Sequence, residues 1–230
     1  NLLPNETCMN QLLLRIKGKY HRTLINLFCR RMVAVNPPTP LISFTFDDAP
    51  KTAVTTGGAI LAEHGGKATF FVSLGLMGLT TEVGEIASQN DLINAVNDGH
   101  ELGCHTLDHL DAWYTSRDNY MASVSANQQA LAQMRPGLKF STFAYPKSGA
   151  TLSVKLPLQK RFVCCRGGGQ AANIGMTDLN MLKACFLDKR AKVELAFIKE
   201  LIDYNAEQRG WLIFATHDVA DDPSPYGCTP

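Results

Sequence analysis

No uncharged apolar run in this chain reaches the roughly 18 residues of a membrane-spanning helix, so the sequence offers no candidate span. Net charge is equally scarce. Twenty-two Lys and Arg against 21 Asp and Glu leave +1, which gives no global argument for nucleic acid. Cysteine is too sparse for a stapled scaffold: there are seven in 230 residues, an odd number, with Cys164 and Cys165 adjacent. They read as mostly reduced thiols in a chain large enough to do without staples, which favours the cytoplasm. The first residue is Asn1 rather than Met, which also leaves room for a removed signal peptide and a periplasmic or secreted location. There is no internal repeat and no low-complexity tract. What is present suffices for a core: 45% of residues are hydrophobic and 19% charged, and the length suits one domain with an appendage.

Acidic residues are missing between Thr7 and Phe46, where Arg15, Lys17, Lys19, Arg22, Arg30 and Arg31 all fall. Leu12, Leu13, Ile16, Tyr20, Leu24, Leu27, Phe28 and Met32 recur among them at helical spacing. The expectation is a basic amphipathic segment over residues 1–36 that packs its apolar stripe on the main domain. Peripheral contact with a membrane or an anionic polymer is the alternative. Asn36-Pro37-Pro38-Thr39-Pro40 ends it, because consecutive prolines cannot continue a helix.

From residue 37 to 230 the chain alternates strand-like and helix-like stretches. Strands are predicted at Leu41–Phe46, Ala68–Ser73, Glu101–Gly103, Lys139–Phe143, Arg161–Cys165, Leu182–Phe186 and Trp211–Thr216. Helices are predicted at Val54–His64, Asp91–Asp98, Arg117–Met134 and Lys192–Asn205. This alternation predicts an α/β fold with a largely parallel sheet, open or closed into a barrel.

Four of these strands run into residues suited to catalysis: Asp47-Asp48, Cys104-His105-Thr106-Leu107-Asp108-His109, Ala144-Tyr145-Pro146-Lys147, and His217-Asp218. In parallel α/β architectures the carboxyl ends of the strands share one face, so the four clusters are expected to meet there. If helical, the spacing of His105 and His109 puts both imidazoles on one face, able to hold one metal ion with Asp48 as oxygen donor. His21, His64 and His100 have no comparable setting and read as surface or helix-end histidines. Cys104 and Cys165 lack a paired base and read as wall thiols. The glycines after Arg166 lack the Lys-Ser or Lys-Thr of a phosphate loop.

Taken in this order, Thr45-Phe46-Asp47-Asp48, His105-Thr106-Leu107-Asp108-His109, Phe143-Ala144-Tyr145-Pro146 and Ile213-Phe214-Ala215-Thr216-His217-Asp218 resemble the NodB-homology polysaccharide deacetylases, metal-dependent carbohydrate esterases. The resemblance covers about Leu41 to Pro225. It implies a distorted, incomplete (β/α) barrel, with Asp47 as general base, Asp48, His105 and His109 as metal ligands and His217 as general acid. It also implies an oxyanion donor in the backbone N–H of Lys147. Zinc is the expected ion, with cobalt, nickel or manganese as alternatives for such a donor set. The expected substrate is an N-acetylated poly- or oligosaccharide, lined in the pocket by Tyr145, Pro146, Lys147 and Phe214. A hydrolase of small non-sugar amides and an inactive carbohydrate-binding protein are the rival readings.

The sequence departs from the family in three places. The third motif commonly carries an arginine that pairs with the base, where Ala144 stands here. Lys147 stands where an aromatic residue commonly follows the proline. The fourth motif, normally an acid with tryptophan, reads Cys164-Cys165-Arg166-Gly167-Gly168-Gly169. Arg166 ends the strand after Ala144 on the same face, and the small Ala144 leaves it room, so Arg166 is expected to pair with Asp47. After the His217 motif, where relatives usually continue through another helix and strand, the sequence runs only to Pro230. The expectation is either a short chain or a barrel edge closed by another segment.

Overall fold

The computed structural model describes residues 18–230. The amphipathic stretch expected over Leu12–Met32 therefore lies partly outside the described residues. Within them, residues 18–27 are helical (α1) and bury Ile25, while Tyr20, Leu27 and Phe28 stay exposed. The prolines that follow separate β1 (Met32–Val35) from β2 (Leu41–Asp47). The remaining strands are β3 (Ala68–Val72), β4 (Thr80–Thr81), β5 (Gly84–Glu85), β6 (Glu101–Cys104), β7 (Thr142–Ala144), β8 (Cys164–Arg166), β9 (Gly175–Asp178), β10 (Cys185–Phe186) and β11 (Trp211–Thr216). The helices are α2 (Gly58–Glu63, continuing a π-helical turn at Ala53–Gly57), α3 (Gln89–Asn97), α4 (Arg117–Met134), α5 (Leu152–Leu158) and α6 (Leu195–Glu207). Among the described residues no helix is long and apolar enough to cross a membrane.

Seven strands form one sheet in the order β10-β11-β2-β3-β6-β7-β8, and every pairing in it is parallel. The fold is the expected α/β one, a curled, incomplete (β/α) barrel. Its two edges are joined by one stretch of chain. Leu182 bridges to Arg166 and its N–H donates to the Cys165 carbonyl (2.8 Å), while Cys185 and Phe186 a few residues on pair with Phe214 and Ala215. The seam is thus made by residues that precede α6, not by elements beyond His217.

Strand alternation decides which residues face the site. Along β2, Phe46 packs outward on Phe70 (centroids 5.3 Å) in the core under the helices, and Asp47 falls on the opposite face. Helix α4 covers that core with Tyr120, Val124 and Leu131 at helical spacing, and Ser116 caps its first turn by accepting from the Asn119 N–H.

The stretch from residue 18 to 35 is tied to this body by buried polar contacts. Lys155 of α5 is fully buried, and its Nζ donates to Asp178 Oδ2 (2.6 Å) and to the carbonyls of Ile25 (2.5 Å) and Phe28 (3.3 Å). Those carbonyls belong to the C-terminal end of α1, where unpaired acceptors favour a cation. Asn180 holds the Cys29 carbonyl (2.8 Å), the Arg31 guanidinium holds that of Phe162 (3.2 Å), and β1 pairs antiparallel with β9.

Candidate metal and active site

The carboxyl ends of the parallel strands deliver every motif to one face. Asp47 closes β2, His105 follows β6, Lys147 follows β7, Arg166 closes β8 and His217 follows β11. They surround a cavity of about 840 Å³, lined among others by Asp47, Asp48, His105, His109, Lys147 and His217.

Asp48 Oδ1 lies 3.8 Å from His105 Nε2 and 3.5 Å from His109 Nε2, and the three donor atoms are within 4.8 Å of one another. The two histidines do not sit on a helix, as their spacing suggested. The chain there is an irregular loop with Thr106 and His109 in the left-handed region (φ 61° and 52°), held by Thr106 Oγ1 on the Leu110 N–H and Ser123 Oγ on the Leu107 N–H. Helical spacing brought the imidazoles together for the wrong reason: the loop folds back far enough to set the rings 5.1 Å apart. His105 Nδ1 lies 2.8 Å from the Ala144 carbonyl, which can only accept, so Nδ1 carries the hydrogen and Nε2 presents its lone pair.

Burial pushes His105 down to about 3 and lowers His109 as well, so both rings are neutral at pH 7. Burial pushes Asp48 up to about 6, with His217 opposing and Asp47 adding to the rise. Asp48 Oδ1 is buried without a hydrogen-bond partner, facing the Nε2 atoms of both imidazoles. Such an oxygen is expensive unless a proton or a cation sits beside it. Two neutral imidazole nitrogens and one carboxylate oxygen suit a divalent ion such as zinc. His105 titrates well below it, so the pH dependence falls to Asp48 together with the lowered His109. Metal affinity measured by calorimetry should fall as pH drops through about 6, and a flat affinity between pH 7.5 and 5 would contradict this.

Asp47 is 4% exposed, and Arg166, 2% exposed, donates through Nη2 to its Oδ1. Burial is the largest influence and raises the Asp47 carboxyl, but the Arg166 guanidinium, together with His105 and His217 nearby, outweighs it and holds the carboxyl below the ordinary carboxylate range. Arg166 is itself fixed by Nη1 on the Gly167 carbonyl (3.1 Å) and by the rings of Phe71 and Phe186, 5.0 and 5.5 Å from its carbon Cζ. The arginine thus reaches the aspartate of β2 from β8, whose Arg166 stands in register with Ala144.

The residues expected to line the pocket divide. Lys147 lines it, with a left-handed backbone (φ 55°). Tyr145 and Pro146 are buried behind the wall, and the Tyr145 hydroxyl donates to the Asn180 carbonyl (3.2 Å). Phe214 is a correction: it lies on the other face of β11, stacked on Phe44 (5.6 Å) and packed with Leu201 and Leu212 under α6. A strand flips face at each residue, so the site-proximal end of β11 cannot present both Phe214 and its neighbours inward. Sequence reasoning missed Glu82, Phe186, Asp188, Arg190 and Tyr226, which line the same cavity. None stands in a motif; Phe186 alone was placed at a strand end.

Backbone strain concentrates here. Of the ten described non-glycine residues with positive φ, six are Asp48, Ala49, Thr106, His109, Lys147 and Ser148. Such residues cost about 1–3 kcal/mol each and persist where the surroundings over-determine them, as at ligand and catalytic loops.

The family model for polysaccharide deacetylase matches residues 34–160. A gellan lyase of a Bacillus species is 30% identical over 108 residues, which are 47% of this chain and 4% of that enzyme. Among solved structures, the Streptococcus pyogenes deacetylase PplD, in complex with acetate, is 18% identical with a TM-score of 0.54, over 80% of this chain and 85% of that one. The peptidoglycan deacetylase PdaC of Bacillus subtilis is 19% identical with a TM-score of 0.51, over 84% and 81%. These two likenesses are of fold. The chain spans 57% of another solved structure that it matches, so coverage varies among them.

Proposed function

This chain belongs to the polysaccharide deacetylase family, and on that premise we propose that it hydrolyses N-acetyl groups of an N-acetylated poly- or oligosaccharide. The observation that carries the reading is the unpartnered Asp48 oxygen facing two imidazole nitrogens, one residue from an aspartate that a buried arginine keeps ionised. Asp48, His105 and His109 would hold a divalent ion, which would supply Lewis acidity toward a water and toward the acetamide carbonyl.

The remaining steps fall to the chain itself. Asp47, ionised against Arg166, takes the proton of the attacking water as the C–O bond forms at the acetamide carbonyl. The Lys147 N–H meets the negative charge that grows on the carbonyl oxygen. His217 gives a proton to the departing amine nitrogen as the C–N bond breaks, which leaves acetate and a free amino sugar. His217 Nδ1 faces the Tyr226 carbonyl (3.1 Å), so its Nε2 is the nitrogen free to serve the pocket. A cavity of this size accommodates a sugar unit with its neighbours, which favours a carbohydrate over a small amide.

Acetate release from N-acetylglucosamine oligomers by zinc-loaded protein tests the reading. Turnover that disappears on chelation and returns with the ion is expected. His109→Ala should lose both bound metal and activity with little change in the fold. Metal retained by that variant at one ion per chain would overturn the ligand assignment, and no acetate from any acetylated sugar would overturn the activity.

A further inference from the structure

The ring that serves as proton donor in the proposed reaction is held by a backbone carbonyl, and that carbonyl arrives from nine residues further along a loop without helix or strand. We propose that Asp218 is the positioning residue that builds this loop and thereby fixes the orientation and tautomer of His217. The inference rests on the reading of His217 as the proton donor.

The connections are all short. Asp218 is 6% exposed, yet it does not point at the imidazole. Its Oδ2 accepts from the Ser224 N–H (2.7 Å) and its Oδ1 from the Ser224 hydroxyl (2.5 Å). Ser224 Oγ in turn accepts from the Tyr226 N–H (3.1 Å), and the Asp218 carbonyl accepts from the Cys228 N–H (3.0 Å). The carboxylate ties residue 218 to 224, and with the Val219–Cys228 bridge and the Lys189 and Arg190 N–H groups on the Gly227 and Pro225 carbonyls it holds the loop from 218 to 228 in a fixed turn. Gly227 is part of the same turn: a Cβ there would lie 2.3 Å from Asp218 Oδ1 and 2.5 Å from its carbonyl oxygen, so only glycine allows the approach.

The product of the turn is the place of Tyr226. Its carbonyl faces His217 Nδ1 at 3.1 Å and can only accept, so the hydrogen must reside on Nδ1 and Nε2 is left for the cavity. Its ring stands edge-on to the imidazole (centroids 5.6 Å, planes at 63°) and blocks rotation. The ring is itself clamped: the Arg190 guanidinium lies 3.8 Å over it and its hydroxyl donates to Glu82 (2.9 Å). A main-chain carbonyl orients the ring without placing a second negative charge beside the donor.

The test uses ¹⁵N-histidine-labelled full-length protein. In the parent, a protected Nδ1–H signal that disappears in His217→Ala identifies the ring. In Asp218→Ala and in the milder Ser224→Ala, that signal should be lost or exchange-broadened, with zinc stoichiometry unchanged. Turnover should fall about 10–100-fold at similar KM, the scale of a misplaced reacting group, and Ser224→Thr, which keeps the hydroxyl, should restore both. An unchanged Nδ1–H signal with parental turnover in a folded Asp218→Ala or Ser224→Ala protein would overturn the proposal. If the parent releases no acetate, the functional reading fails, and the Nδ1–H signal alone still decides whether Asp218 sets the ring.

Discussion

Asp47→Asn should lower turnover by about 10²–10⁴, the usual worth of a general base, while the protein still binds one metal ion per chain. The neighbouring change separates the two carboxylates. Asp48→Asn removes the charged oxygen between the imidazoles and should weaken the metal itself. Arg166→Ala tests the same base from behind. It leaves Asp47 buried without its counter-ion, so the carboxyl rises and the acidic limb of the pH–rate profile moves to higher pH. Breaking a buried pair from one side also costs about 3–5 kcal/mol of stability. Equal metal dissociation constants for the parent, Asp47→Asn and Asp48→Asn would dismiss this division of labour.

A stability loss as large is expected away from the chemistry, in Lys155→Met. The substitution puts in an apolar side chain one atom shorter and leaves Asp178 Oδ2 and the buried Ile25 carbonyl without the ammonium that donates to them. About 3–5 kcal/mol is the expected loss, which for a chain of this size lowers the melting temperature by roughly 6–20 °C. Removing residues 18–35 takes away the same carbonyls, so the two changes should add less than their sum in a thermal scan. Asp178 Oδ1 also accepts from the Asn180 N–H, and the Asn180 carbonyl takes the Tyr145 hydroxyl beside the Lys147 loop. A melting temperature within 2 °C of the parent would show that the lysine does not hold the N-terminal helix to the body.

How much of this was legible in the sequence depended on whether a residue's role is local. Asp47 and Asp48 follow a strand whose alternation is plain, and their placement at its end came from pattern alone. The meeting of His105 and His109 was also legible, but not its cause, because positive φ at Thr106 and His109 is imposed by contacts to Ser123 and to Thr106's own hydroxyl. Arg166 was legible because an aspartate base needs a guanidinium partner, Ala144 stands where relatives supply one, and Arg166 ends the next strand on the same face. Helix α5 went unassigned: it carries Pro157 in its last turn and a lysine on its buried face, and both argue against a core helix until the long-range carbonyls that receive Lys155 are known. Phe214 shows the opposite error, a residue inside a recognised motif whose side chain serves the core.

The stretch from Leu182 to Phe186 serves both edges of the main sheet, and this bears on how the protein aggregates. While the seam holds, the N–H and C=O groups of β8 and β11 on that side are partly covered. The covering is narrow, with two residues paired to β11 and an isolated bridge to β8. Local opening there would expose two strand templates at once, each able to recruit another chain through its unpaired backbone. Self-association under mild heating should therefore begin at β8 and β11, before the central strands β2 and β3 lose their hydrogen-exchange protection.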